Sequence, residues 1–347
     1  MVRGVELSIS ILKVTAMSPT RSLCAMLYAI SGAVFAATPI VVVDAPSNLG
    51  LRPPAPGVEP GARKLATTLR SFGLVDRLGA RDGGRVDAPP YSPQPDAATG
   101  FRNGTALAAY SAKLAERLGA LIGGDAFVLV LGGDCSVLLG SGVALKRRGR
   151  YGLAFVDAHD DYTFPRDTAR YRGRYTAAGL DLGLATGHGP AALADIGGLS
   201  PYFAESDVVH VGLVREAGDA AYGDIDRFAR SPIGKFPADM IKRRGAAAIG
   251  AEARARLEAS GVDGYWIHVD ADVLDASVMP AVDSPNADGL TFAQLRELLA
   301  VLLASPLAVG LELTIYDPDL DPDGVHGRVL ADAIIAAFED AGKISTR

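Results

Sequence analysis

The chain has 347 residues, a formal net charge of -6, and a composition that is 49% hydrophobic and 21% charged. That suits one large α/β domain or two smaller ones with a sizeable core, and the acidic balance excludes the basic face a nucleic-acid binder needs. The two cysteines, Cys24 and Cys135, are too far apart in sequence to suggest a disulfide framework, and no CxxC zinc pattern is present.

In chain order, Arg21 precedes an apolar run from Leu23 to Ala36 that ends in the small-residue pattern Val34-Phe35-Ala36-Ala37. A basic start, an apolar stretch of about 14 residues and an A-x-A-like site fit a signal peptide. The run is too short to span a bilayer comfortably. An extra N-terminal helix, or an overlong start ahead of Met17 or Met26, fits the same residues. The expectation is a periplasmic or secreted protein if the segment is cleaved, with no membrane role once processed, and a cytoplasmic one otherwise. Residues 1–37 therefore stand apart from a single domain over 38–347.

Ile40 to Val43 reads as a buried β-branched strand, and Ala62 to Phe72 as a helical run. Residues 80–104 are rich in Gly, Pro and Asp and read as a long surface loop. Thr105 to Ile122 carries Leu107, Tyr110, Leu114, Leu118 and Leu121 at helical spacing. Alternating units follow. Phe127–Leu131 is a strand, then a helix to about Leu145; Leu153–Val156 and Val208–Val211 are strands; Ala247–Ala259 is helical; Tyr265–Val269 is a strand; Thr291–Leu303 is an amphipathic helix; Ala308–Tyr316 is a strand; Val329–Phe338 is a final helix. Apolar strands alternating with helices predict a three-layer αβα fold around a largely parallel sheet.

Ligands of such sheets bind beyond the carboxyl ends of the strands, and three polar clusters follow strands there. The first is Gly132-Gly133-Asp134-Cys135-Ser136. The second is Asp157-Ala158-His159-Asp160-Asp161, whose Asp157, His159 and Asp161 share one side of an extended segment. The third is His268-Val269-Asp270-Ala271-Asp272-Val273-Leu274-Asp275, which repeats the i, i+2 acidic spacing. Four aspartates converging from two strands carry too much negative charge without cations. Two divalent ions would neutralise it and generate a hydroxide nucleophile at neutral pH. Carboxylate-rich ligation with one imidazole favours a hard ion such as Mn²⁺ over zinc.

The three clusters resemble, in order and spacing, the G-G-D-H-S, D-A-H-x-D and S-x-D-x-D-x-x-D-P segments of the ureohydrolase family, which contains arginase and agmatinase. Pro280 and Gly289-Leu290 also look familial, and the resemblance covers roughly residues 40–338. It implies two Mn²⁺ ions. One would be held by Asp157, His159, Asp270 and Asp272, the other by Asp157, Asp161, Asp270 and position 135. Asp161 would also hold or take the nucleophile's proton, and Asp275 would support the site. The implied reaction is hydrolysis of a linear, non-peptide C–N bond in a small guanidino or amidino compound, and the implied assembly is a homo-oligomer.

Four positions depart from the family. Cys135 stands where an imidazole is expected; a thiolate suits Zn²⁺ or Fe²⁺ better than Mn²⁺, while a plain buried thiol would leave that ion weakly held. Ala178 aligns with the proton-shuttling histidine. Ile315 aligns with the guanidinium-binding glutamate, and Glu312, three residues back, would face the other side of the strand. An impaired arginase-fold metal-binding or regulatory protein is therefore the alternative reading. His268 replaces a serine and reads as core packing, as does Trp266. His188 reads as a loop residue, and Arg215 with Glu216 as a substrate-tail reader or a surface pair.

Overall fold

The computed structural model describes residues 38–164, 175–214 and 225–345. The leader reading over residues 1–37 and the Arg215–Glu216 pair lie outside the described residues. Eight parallel strands form one sheet: β1 (Ile40–Asp44), β2 (Arg81–Arg85), β3 (Phe127–Leu131), β4 (Tyr151–Val156), β5 (Val208–Val211), β6 (Gly234–Phe236), β7 (Gly264–Asp270) and β8 (Ala308–Thr314). Their order is β2-β1-β3-β8-β7-β4-β5-β6. The expected αβα architecture is present.

Strand alternation sorts the core into two layers. On β3, Phe127, Leu129 and Leu131 enter one layer and Val128 and Val130 the other. The first layer is covered by α3 (Ala246–Ala259), α4 (Phe292–Leu303) and α5 (Val325–Asp340). The second is covered by α1 (Gly104–Gly119) and α2 (Val137–Lys146). Helix α4 starts where its sequence says it should. The Thr291 side chain accepts from Gln294 N, and the Gln294 side chain accepts from Thr291 N, which closes a capping box.

Both sheet edges were illegible in the sequence. The stretch 80–104 is not all loop, because β2 pairs with β1 at one edge. Its sequence, Arg-Asp-Gly-Gly-Arg, is largely exposed and has no apolar alternation. β6, at the other edge, has three residues. Polar and very short strands are how natural sheets protect their edges, and such strands carry no hydrophobic signal. The last helix also begins earlier than its periodicity suggests, at Val325.

The centre of the sheet is tightly packed. A Cβ on Gly310 would stand 2.1 Å from Trp266 Cζ3 and 2.6 Å from the Val128 carbonyl oxygen. Trp266 is fully buried, as expected. Gly310→Ala should therefore destabilise the fold by about 1–3 kcal/mol through overpacking. Chemical denaturation at equilibrium measures it, and an unchanged midpoint would contradict this packing.

Candidate metal centre

The four central strands deliver the site. Val156 of β4 pairs with Val269 of β7, so Asp157 and Asp270 emerge side by side. Asp270 in turn pairs with Thr314 of β8, and Leu313 of β8 pairs with Leu131 of β3. The Gly132–Ser136 loop leaves β3 at the same end. Asp134 holds that loop in place: Oδ2 accepts from Ser47 Oγ at 2.9 Å and Gly50 N at 3.2 Å, and Oδ1 accepts from Ser136 N at 2.9 Å. Gly133 permits the approach, since a Cβ there would lie 1.7 Å from the Ser47 carbonyl oxygen.

Cys135 is thereby aimed inward and buried. Its Sγ lies 2.7 Å from Asp270 Oδ2, to which the thiol donates, and 3.2 Å from Thr314 Oγ1. Burial, followed by the charge of Asp270, pushes the thiol well above its ordinary range. Asp157 Oδ1 accepts from His159 N at 2.6 Å and lies 3.6 Å from His159 Nδ1. That same Nδ1 is 3.1 Å from Asp272 Oδ2. Asp160 turns aside and caps the loop, accepting from Thr163 Oγ1 at 2.8 Å. Asp161 reaches its buried position through a left-handed backbone, with φ of 40°, a conformation that Asp tolerates better than most residues.

The electrostatics are those of a cation site. Burial, and then neighbouring carboxylates, push Asp161 and Asp270 well above the usual carboxylate range. Asp272 is pushed up to about 6 by burial and by Asp157. Burial opposes ionisation of Asp157 too, but hydrogen bonds and charge from His159 outweigh it and hold Asp157 below its ordinary value. Asp157 Oδ2 and Asp272 Oδ1 are buried with no hydrogen-bond partner. Buried carboxylate oxygens without donors are costly. Divalent cations satisfy both the charge and the lone pairs, so these residues fit the metal pair that the sequence implies.

The donor atoms fall into two groups that share one carboxylate. Asp157, His159 and Asp272 form the first, and Cys135, Asp157 and His268 the second; within each, the ligand atoms lie within 4.8 Å of one another. Comparison with known proteins places this arrangement: a model of the Arginase family matches residues 38–338. The chain belongs to the arginase family. It is 29% identical over 305 residues to an arginase of Bacillus caldovelox, covering 82% of this chain and 92% of that one. It is 28% identical over 236 residues to a formimidoylglutamase of Aeromonas salmonicida (strain A449), covering 65% and 66%. The solved arginase from Bacillus caldovelox superposes with a TM-score of 0.75 at 25% identity, covering 87% of this chain and 98% of that one.

Within this arginase-family frame, several residues carry more than the sequence suggested. His268 sits two residues before Asp270, hence on the same side of β7, and its Nε2 faces the cluster instead of merely filling the core. Its ring stacks on Phe155 with centroids 4.7 Å apart. Glu312 faces away from Ile315, as alternation requires, and its Oε1 lies 2.7 Å from His268 Nδ1. Asp181, fully buried, lies 4.0 Å from His268 Nε2 through Oδ2. His210, on β5, donates from Nε2 to the His159 carbonyl oxygen at 2.6 Å. Asn286 Nδ2 lies 3.2 Å from His159 Nε2.

Asp275 is placed differently from the other aspartates. Its Oδ1 accepts from Ser277 N at 2.9 Å and Ser277 Oγ at 2.6 Å, within its own turn. The same turn pairs Asp275 with Asn286 across an isolated bridge, so Asp275 shapes the loop that brings Asn286 to His159. His188 joins a separate partly buried group, with Nε2 2.7 Å from Glu205 Oε1 and 3.1 Å from the Tyr162 hydroxyl.

Proposed function

We propose that the chain is a metal-dependent hydrolase of linear, non-peptide C–N bonds in a small guanidino or amidino compound, releasing urea or an analogous fragment and an amine. The observation that carries this reading is the shared carboxylate: one buried aspartate, Asp157, joins two donor groups at the carboxyl ends of four adjacent strands. Family membership supports the same reading, as do relatives described as arginase and formimidoylglutamase. When bound, the ions supply hydroxide at neutral pH and polarise the carbon under attack.

The chain's own residues do the rest. Asp157, His159 and Asp272 would hold one ion, their sulfur-free donor set being in keeping with Mn²⁺. Asp270 accepts the hydrogen bond of the Cys135 thiol beside the donor groups. Asp161, 9% exposed, holds or takes the nucleophile's proton on its carboxylate. His210 and Asn286 fix the His159 ring and backbone so that Nδ1 points inward.

The test is a product screen on protein loaded with two equivalents of divalent metal. Arginine, agmatine and guanidino acids are offered for urea release, and a formimino compound for formamide release. Protein that retains two ions and turns over none of them would instead support the alternative, a binding or regulatory relative, for which Ala178 and Ile315 speak.

Ile315 supplies a sharper probe. This β-branched residue is 3% exposed and held at φ 71°, with its N–H donating to the Gly133 carbonyl oxygen at 2.7 Å. Such a conformation costs of order 1–3 kcal/mol. An aliphatic chain here offers no charge to a guanidinium. Ile315→Glu should raise kcat/KM for free arginine roughly 10- to 100-fold, because a charge-assisted hydrogen bond contributes about 1.5–3 kcal/mol. Steady-state urea release checks this, and a variant that is folded, metal-loaded and no better on arginine would show that position 315 does not read the guanidinium.

A further inference from the structure

The resemblance leaves this chain one imidazole short, because position 135 holds a thiol. The structure brings another imidazole to the same place. Cys135 Sγ, a His268 ring nitrogen and an Asp157 carboxylate oxygen lie within 4.8 Å of one another, and all three residues are buried. His268 Nε2 and Asp157 Oδ2 have no hydrogen-bond partner. Neither does Asp181 Oδ2, 4.0 Å from His268 Nε2.

The neighbours of His268 place the hydrogen on Nδ1. Glu312 Oε1 lies 2.7 Å from Nδ1, and a carboxylate only accepts, so Nδ1 carries the hydrogen. Glu312 is itself anchored by a hydrogen bond from the Ser141 hydroxyl. Phe155 stacks on the ring face and fixes its plane. In the neutral imidazole, Nε2 is then a bare lone pair aimed at the cluster. A histidine oriented by a carboxylate on one nitrogen and free on the other is the usual support of a metal ligand.

We propose that the imidazole missing from position 135 is supplied from position 268, so that Cys135, His268 and Asp157 ligate one divalent ion, with Asp181 facing the same ring nitrogen. A thiolate, an imidazole and a carboxylate are a zinc-type donor set, and zinc held by three protein ligands keeps a fourth position open. The neighbouring group, Asp157, His159 and Asp272, has no sulfur and suits a harder ion. The centre is therefore a mixed one, with Zn²⁺ at the sulfur-containing position and Mn²⁺ beside it. Metal binding releases the Cys135 thiol proton. This inference rests on the metal-dependent reading above but not on any particular substrate. Its rival is a protonated His268 serving as counter-ion to Glu312 and Asp181, with no lone pair to give.

Full-length protein purified without chelator decides the matter. Zinc-edge X-ray absorption should show a sulfur scatterer at about 2.3 Å together with imidazole. Replacement of that zinc by Co²⁺ should give a sulfur-to-cobalt charge-transfer band. Cys135→Ser should abolish the band while manganese stays bound. His268→Gln should remove the zinc while leaving manganese, and Glu312→Gln should weaken zinc binding roughly 10- to 100-fold. Cys135→His should lose the band and shift the site toward Mn²⁺. A wild-type spectrum without sulfur overturns the proposal, and so does a folded His268→Gln protein with unchanged zinc content and cobalt spectrum. Should that variant not fold, the wild-type absorption spectrum decides alone. Urea release without sulfur ligation would overturn this inference and leave the proposed function standing. Sulfur-ligated zinc with no turnover of any compound in the screen would do the reverse.

Discussion

Replacing Asp157 by asparagine should strip both ions from the protein in one step. The carboxylate belongs to both donor groups. Its Oδ1 is engaged by His159, while Oδ2 is buried without a partner. Asparagine keeps the shape but loses the charge, and it turns one acceptor into an NH₂ donor that repels a cation. Elemental analysis after gel filtration should find neither ion at stoichiometric level. His159→Asn, by contrast, should lose only the ion of its own group. Lewis-acid stabilisation contributes several kcal/mol, and about 1.36 kcal/mol is tenfold in rate, so Asp157→Asn should cost at least about 10³-fold in hydrolysis. Retention of one ion at full stoichiometry would show that the two groups do not depend on a common carboxylate.

The sequence carried the central strands and the acidic motifs because burial on both faces writes apolar runs, as in Phe127–Leu131 and Leu153–Val156, and the polar burst after each marks its ligand end. The edges β2 and β6 left no such trace, being exposed or three residues long. His268 was legible in principle. It lies two residues before Asp270, so simple alternation puts both on one side of β7, which the reading as core packing did not allow for. Asp181 had no comparable signal. It enters the cluster from a short helix, Asp181–Ala185, whose sequence neighbours are apolar, and only the fold brings it to His268. Glu312 shows the reverse problem. It could be excluded as a substitute for the guanidinium-binding residue from strand parity alone, but its service to His268 required the pairing of β7 with β8 at His268 and Glu312. Asp275 matched a motif position, yet its side chain turns to Ser277, because the loop to Asn286 needs that turn.

Removal of the metal should make stability fall as pH rises. In the metal-free protein, Asp161, Asp181 and Asp270 titrate well above the usual carboxylate range and Asp272 near 6, with burial the largest cause in each and neighbouring carboxylates next. An unfolded aspartate loses its proton near pH 3.9. Between that value and their raised folded values, these four groups bind more protons in the folded chain than in the unfolded one. Stability then declines with rising pH through the window. His159 adds to the trend: Asp272 and Asp157 overcome the effect of burial and raise it far above its ordinary range, so its contribution is complete below the unfolded value of about 6.5 and fades as pH rises toward the folded one. Asp157, held low by His159 against the effect of burial, and His210, held low by burial, run the other way. Four raised carboxylates and the raised His159 outweigh these two. Bound cations reverse the preference by favouring the ionised forms. Thermal unfolding of chelated and metal-loaded protein between about pH 4.5 and pH 7.5 should show a midpoint that falls with pH in the first and holds or rises in the second, with the gap widening toward neutrality. A chelated protein whose midpoint rises across that window would mean that the aspartates do not share one buried cluster, and would remove the physical ground for placing two ions among them.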